Sequence, residues 1–127
     1  MTINLTQHAA SPAQRDAGVV DLPPGDQAAL RDLLTFEELP SISDMQLRAR
    51  KITRLIPTGV TRAMIGGAPW FLPYLAGVLR NVRPDVTCVM SFSRRESADR
   101  IMPDGSTRKV SVFRHIGFIP YFGVSEC

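Results

Sequence analysis

An α/β fold, with a mainly parallel open sheet, flanking helices and a C-terminal β-hairpin, is predicted by three observations. The first is the stretch Val60 to Met90. Val60 to Ile65 is short, apolar and β-branched, as a buried strand is. Gly66 and Gly67 then allow a sharp turn, and Ala68-Pro69 opens the next segment, Pro being suited to a first helical turn. Phe71, Leu75, Val78, Leu79 and Val82 recur on one helical face, and Val86 to Met90 reads as a second buried strand. Strand, turn, helix and strand make a βαβ unit, which implies a parallel pair. The second observation is size and composition: 127 residues, 44% hydrophobic and 21% charged, fit one globular domain over residues 1–127. The third is Pro103-Asp104-Gly105 between Ser97–Met102 and Thr107–Phe113, a hairpin with a type I turn and a left-handed Gly. Together they describe a Rossmann-like sheet.

The remaining elements follow in order. Thr2 to Thr6 alternates in polarity and suits the first strand, ending at Gln7 and His8. Ser11-Pro12 starts a short helix, Ser as N-cap and Pro at N1, which Gly18 ends. Val19 to Leu22 is a brief second strand. Pro23-Pro24-Gly25 breaks the chain, and Asp26 caps a helix carrying Ala29, Leu30, Leu33 and Leu34. Pro40 stops it. Ser43 begins the next helix, with capping-box spacing to Gln46 and a hydrophobic staple of Ile42 and Leu47. Met45, Ala49, Ile52 and Ile56 form its buried stripe, while Arg48, Arg50, Lys51 and Arg54 occupy its solvated sides. Pro57-Thr58-Gly59 leads into the central strand. After the strand to Met90, Ser91 to Arg95 reads as a polar strand end, and Arg114 to Phe118 continues the hairpin's second strand.

Composition excludes several classes. No run of 18 apolar residues exists, so no membrane span is expected, and the N-terminus lacks the basic and apolar regions of a signal peptide. Of two cysteines, Cys88 falls in a buried strand and Cys127 is the last residue, which fits reduced cytoplasmic thiols. Two Cys and two His without paired spacing make no structural zinc site, and no metal or cofactor is expected. Walker A, G-x-G-x-x-G and G-x-S-x-G motifs are absent. The net charge of +3 divides unevenly. Residues 1–47 carry two Arg and seven carboxylates, net −5; residues 48–127 carry thirteen bases and five carboxylates, net +8. The basic half points to an anionic ligand, or to nucleic acid on the Arg48–Arg54 helix.

Parallel strands collect distant residues at their carboxyl ends, where such sheets bind ligands. The first strand brings Thr6, Gln7 and His8, and the third brings Gly66 and Gly67 ahead of a helix start whose N–H groups favour an anion. The fourth brings Ser91, Ser93, Arg94 and Arg95, whose hydroxyls and guanidinium forks suit phosphate. His115 reads as a satisfied residue of the hairpin.

These residues also carry a resemblance. Ser93-Arg94-Arg95, Pro103-Asp104-Gly105 and Val112-Phe113-Arg114-His115-Ile116-Gly117-Phe118 resemble the C-terminal third of small CRISPR-associated Rossmann-fold proteins, single-domain relatives of CARF domains that include ring nucleases. Ala63 to Gly66 is similar to their third unit, and Leu5-Thr6-Gln7-His8 with Ser11 to Gln14 to their first. Two positions depart: Phe92 replaces a hydroxyl residue, and Gly66-Gly67 replaces Gly-Asp. The resemblance implies recognition of a cyclic oligoadenylate across a two-fold homodimer and, in some members, its metal-independent cleavage, an antiviral defence activity. It assigns catalysis to His8, Ser93 and Arg94, and ligand binding to Thr6, Gln7, Gly66, Gly67, Ser91 and Arg95. A non-enzymatic adaptor or nucleic-acid-binding module using the basic second half is the alternative.

Overall fold

A computed structural model describes residues 1–122. Cys127, read above as a free thiol, lies outside them. The element order is β1 (Thr2–Leu5), α1 (Pro12–Asp16), β2 (Val19–Asp21), α2 (Pro24–Leu34), α3 (Ile42–Thr53), β3 (Arg62–Ile65), α4 (Leu72–Val82), β4 (Thr87–Ile101) and β5 (Thr107–Pro120). One five-stranded sheet has the order β2-β1-β3-β4-β5. The first three pairings are parallel, and β4 with β5 is antiparallel. This is the α/β sheet and hairpin that the sequence predicts. Among the described residues no helix is long and apolar enough to cross a membrane.

The sheet's two faces are covered unequally. Ile3, Leu5, Ala63, Ile65 and Cys88 point to a large core closed by Leu30 and Leu34 of α2, Ala49 and Ile52 of α3, and Leu75 and Leu79 of α4. Burial pushes the Cys88 thiol up to about 11, so it stays protonated. The opposite face buries only a small cluster, Ala10, Val19, Met64 and Val89, beside Phe118. The single turn of α1 lies over that side. Its Ser11 cap is reciprocal: Gln14 N donates to Ser11 Oγ at 3.2 Å, and Ser11 N donates to Gln14 Oε1 at 3.0 Å.

Several boundaries differ from the sequence reading. Pro23-Pro24-Gly25 does not break the chain; Pro23 is the N-cap and Pro24 opens α2, where a missing N–H costs nothing. Ser41, not Ser43, caps α3 by accepting from Asp44 N at 3.0 Å. With the helix starting at Ile42, that residue and Leu47 stay exposed and form no staple. α4 starts at Leu72, so Pro69 lies in the turn before it and Pro73 is the first-turn proline. The largest difference concerns β4. It continues unbroken through Ser91–Arg95 to Ile101, because β5 pairs with it over its whole outer length. The pairing supplies backbone partners that a polar stretch lacks by itself. The hairpin turn is as expected: Gly105 has φ +84°, and Ser106 N donates to Asp104 Oδ1 at 2.9 Å.

A candidate polar cavity at the strand ends

The parallel register sets Leu5 level with Ile65, and Met64 level with Val89. Thr6, Gly66 and Ser91 therefore stand at one height across the three central strands. Between β1 and β3 the chain order reverses direction across the sheet, the place where open α/β sheets form a crevice. A cavity of about 350 Å³ lies there. Thr6, Gln7 and His8 line it from β1, Gly66 and Gly67 from β3, and Met90 and Ser91 from β4, with Gln14 of α1 on its wall.

The first wall is held by a residue that the sequence reading passed over. Asn4 is buried, and its side chain folds the chain after β1 back on itself. Asn4 Oδ1 accepts from Thr6 N at 2.9 Å and Thr6 Oγ1 at 2.7 Å. Asn4 Nδ2 donates to the His8 carbonyl at 2.7 Å and to Asp21 Oδ1 at 2.8 Å. Asp21 Oδ1 also accepts from Ala10 N at 3.0 Å. Every polar atom of the amide is used, so the path of Thr6–Ala10 is determined by one buried side chain. The signal was available: a strand in which Asn takes a position flanked by Ile and Leu. Gln7 reaches across to α2, its Nε2 donating to the Leu34 carbonyl at 3.3 Å.

On the second wall, a Cβ at Gly66 would stand 3.2 Å from Thr6 Cγ2, so the ends of β1 and β3 touch through the missing side chain. Gly67 has φ +130°, a conformation that L side chains rarely adopt. Ala68 to Phe71 separate these glycines from α4, so the helix N-terminus does not follow the turn directly.

The third wall contains a second buried polar group, His115. Ser91 Oγ lies 2.5 Å from His115 Nδ1, 3.4 Å from Ser93 Oγ and 3.3 Å from Gln14 Nε2. A bulge puts His115 there. Phe92 pairs with Gly117 and Ser93 with His115, leaving Ile116 as the extra residue. His115 and Phe118 are three apart, which in a regular strand would send them to opposite faces. The bulge brings both to the α1 side, with ring centroids 4.7 Å apart. His115 is thus only half satisfied, unlike the satisfied hairpin residue that the sequence suggests. It is 8% exposed, its Nε2 has no partner, and burial holds its pKa below the ordinary histidine value. A stranded lone pair is cheaper than a stranded N–H, which places the proton on Nδ1. The imidazole then donates to Ser91 Oγ, and the hydroxyl's own proton is free to turn toward Ser93 or a ligand. Gln14 could have been found from its Ser-x-x-Gln capping box; His115 depends on the bulge, which has no short sequence signature.

The cationic part of the expected site is elsewhere. Arg94 stands five residues past Val89, the partner of Met64, so it lies about 13 Å beyond the level of the end of β3 at ~3.3 Å per residue. Its guanidinium donates to Glu96 at 3.1 Å. Arg95 stacks on Phe113, 5.2 Å from the ring centroid. Neither lines the cavity, because β4 carries them outward instead of ending at Ser91; Ser93 remains in contact through Ser91 alone. Arg48 is also not a solvated cation. It pairs with Asp44 at 3.2 Å, donates to the carbonyls of Leu33 and Thr35 at 3.2 and 2.7 Å, and lies 4.3 Å from the Phe36 centroid. It closes the C-terminal end of α2, where orphan carbonyls need donors. Among the described residues no three metal-ligating side chains come together.

The cavity is therefore lined by neutral hydroxyl, amide and imidazole groups set among the apolar Ala9, Met64, Ile65 and Met90, with no Arg or Lys. Such a lining suits an uncharged, partly apolar group with a few donors and acceptors. Neither the curated proteins nor the solved structures yield a match to this chain. A family model described as "Uncharacterized protein MJ1673 family" matches residues 1–119, which takes in every strand and helix, the cavity and nearly all of the hairpin. On that match the chain belongs to the MJ1673 family.

Proposed function

We propose that this Rossmann-like domain binds a nucleotide second messenger of the cyclic oligoadenylate type at the carboxyl edge of its sheet. The observation that supports the reading is the cavity at the β1–β3 crevice, where Thr6, Gln7, His8, Gly66, Gly67 and Ser91 meet. Its volume of about 350 Å³ is near the lower end of the range that encloses one small ligand. That is room for one nucleotide unit, so a ring of several units asks for a cavity from each of two copies. Ser91, oriented by His115 and Gln14, donates to a phosphate or ribose oxygen, and Thr6 and the Gly66-Gly67 backbone close around the sugar.

Cleavage is the further step of the same reading. A ribose 2′-oxygen held in line with its neighbouring phosphorus forms the new O–P bond while the 5′-oxygen–P bond breaks, leaving a 2′,3′-cyclic phosphate and a 5′-hydroxyl. Positioning supplies much of the rate. In this reading His8, exposed on the rim, takes the proton of the 2′-hydroxyl and a proton is returned to the departing 5′-oxygen.

The test is binding of labelled cyclic tetra- and hexa-adenylate without added metal, followed by chromatography of the products. Ser91→Ala removes one hydrogen bond to a charged oxygen, worth about 1.5–3 kcal/mol, or about tenfold to hundredfold in affinity. Arg94→Ala leaves affinity within about twofold, since an exposed side chain outside the cavity adds little. Binding without products leaves a sensor. No binding of either ring removes the reading, and a loss on Arg94→Ala with none on Ser91→Ala moves the site onto the ribbon.

A further inference from the structure

The outer halves of β4 and β5 leave the sheet as a two-stranded ribbon. Past the bulge, Ser93–Ile101 pairs with Thr107–His115, and of these residues only His115 is buried. A lone hairpin is marginal in water, and this one exposes Phe113 and Ile101 by 68% and 78%. Its charges are also arranged at a cost. Arg94 stands directly opposite Arg114, and Arg100 directly opposite Arg108. Like charges in facing positions destabilise a sheet. Glu96 relieves the first pair, contacting both guanidiniums at 3.1 and 3.9 Å. The second pair has no carboxylate within salt-bridge distance among the described residues. An element that keeps such a pair is arranged to meet negative charge.

The molecule presents that charge on its other half. The segment joining α2 to α3 forms an open groove of about 680 Å³. Asp32, Glu37 and Glu38 line it, and none of the three has an ion-pair partner among the described residues. The groove's one base, Arg48, is already engaged by Asp44, by backbone carbonyls and by Phe36. Leu39, in the same groove, is 98% exposed. The groove thus offers carboxylates around an apolar contact, and one face of the ribbon offers Arg100 and Arg108 beside Val110 and Val112. The division into a net −5 half and a net +8 half is this same polarity at the level of the chain.

We infer that the occupant of the groove is the ribbon of a second copy of this chain, with the exchange reciprocal in a two-fold dimer. Edge-to-edge pairing of two β5 strands is the alternative contact between copies. The charges disfavour it: β5 carries Arg108, Lys109 and Arg114 and no carboxylate, so two such edges repel. The ribbon-to-groove contact pairs opposite charges and buries Leu39, the most exposed large apolar side chain among the described residues. The inference rests on charge and exposure alone and is independent of the nucleotide reading.

The test is mass by analytical ultracentrifugation at about 0.01 M and about 1 M salt, where the Debye length falls from ~30 Å to ~3 Å. The chain is expected to be a dimer at the low salt and a monomer at the high. Arg100→Glu with Arg108→Glu should be monomeric throughout, and so should Glu37→Lys with Glu38→Lys. An equimolar mixture of the two variants should recover the dimer mass, because each ribbon then meets a groove of opposite sign. All four positions are exposed, so melting temperatures should change little; Arg100→Gln with Arg108→Gln is the milder variant and should weaken the dimer in the same direction. A chain that is monomeric at low salt, or a mixture that stays monomeric, overturns the inference. So does a monomer that binds a labelled RNA or DNA duplex through the ribbon arginines, which would make nucleic acid the ribbon's partner.

Discussion

The two groups that organise the cavity, Asn4 and His115, are polar side chains inside a sheet. Asn4 is fully bonded; His115 is not, and its neutrality has a consequence for pH. Its folded pKa lies below the ordinary value of about 6.5, because burial disfavours the imidazolium. The unfolded chain then binds the proton more readily than the folded one. The stability that His115 contributes is complete above about pH 6.5 and is lost as pH falls through the lower, folded-state pKa, at no more than ~1.4 kcal/mol per pH unit. Urea unfolding at about pH 7.5 and about pH 5.5 measures it. His115→Gln should flatten the dependence in that window. A dependence of the same size in the variant would place the titrating group elsewhere. Arg48 carries a similar lesson of context. From the sequence it is one of four cations on the outside of a helix; its environment depends on Thr35 and Phe36, which only the α2–α3 connection brings near.

Elements were legible where local chemistry decides them. The Ser11 cap, the Gly18 stop, the buried stripe Met45, Ala49 and Ile52, and the Pro103-Asp104-Gly105 turn all rest on contacts within a few residues, and all are found, while Ile56 is buried beyond the end of the helix. The cap of α3 shows the limit. Ser41 and Ser43 both precede acceptable helical sequence, and only backbone geometry chooses between them. Ser41 has the extended conformation of an N-cap, φ −80° and ψ 164°, and its hydroxyl accepts from Asp44 N. Ser41→Ala should therefore lower stability by about 0.5–2 kcal/mol, whereas Ser43→Ala, at an exposed helical position, should stay within about 0.5 kcal/mol. Chemical denaturation of both variants decides it; equal losses would show that the helix start is not held by Ser41. β4 was less legible than any helix. Ser91 to Arg95 has the composition of a strand's polar end, and its extension is a property of β5, whose facing residues Phe113 to Phe118 lie 18 to 27 residues further along.

For the molecule as a whole, three of the four inter-strand pairings are parallel and form a sheet packed against three helices, while the fourth pairing outgrows that sheet. The candidate cavity was legible in part for the same reason. Residues at the ends of short parallel strands, Thr6 to His8 and Gly66-Gly67, were brought together by topology alone. Arg94 and Arg95 were not, because strand length is set by the partner and not by the strand's own residues. The unequal coverage predicts unequal opening. Stability within a fold follows buried contacts, so amide hydrogens of residues 94–100 and 108–114 should exchange orders of magnitude faster than those of β1 and β3 in the monomer favoured at high salt. Hydrogen exchange resolved by mass spectrometry tests this. Equal protection in the ribbon and the sheet would mean that the ribbon is stabilised by contacts absent from this structure.

The extra residue at Ile116 also bears on how the hairpin can change length over evolutionary time. Since every second side chain shares a face, the bulge acts as a parity marker. Removing Ile116 would restore a regular pairing in which His115 and Phe118, then two apart, still share a face. Adding or removing one residue on only one strand farther out would send all the side chains beyond it, on that strand, through to the other side. Matched changes of two residues on each strand, placed between the bulge and Gly105, would preserve every face and alter only reach. Relatives of this chain are therefore expected to differ in hairpin length by even steps per strand, with the odd step confined to the place where the hairpin leaves the sheet.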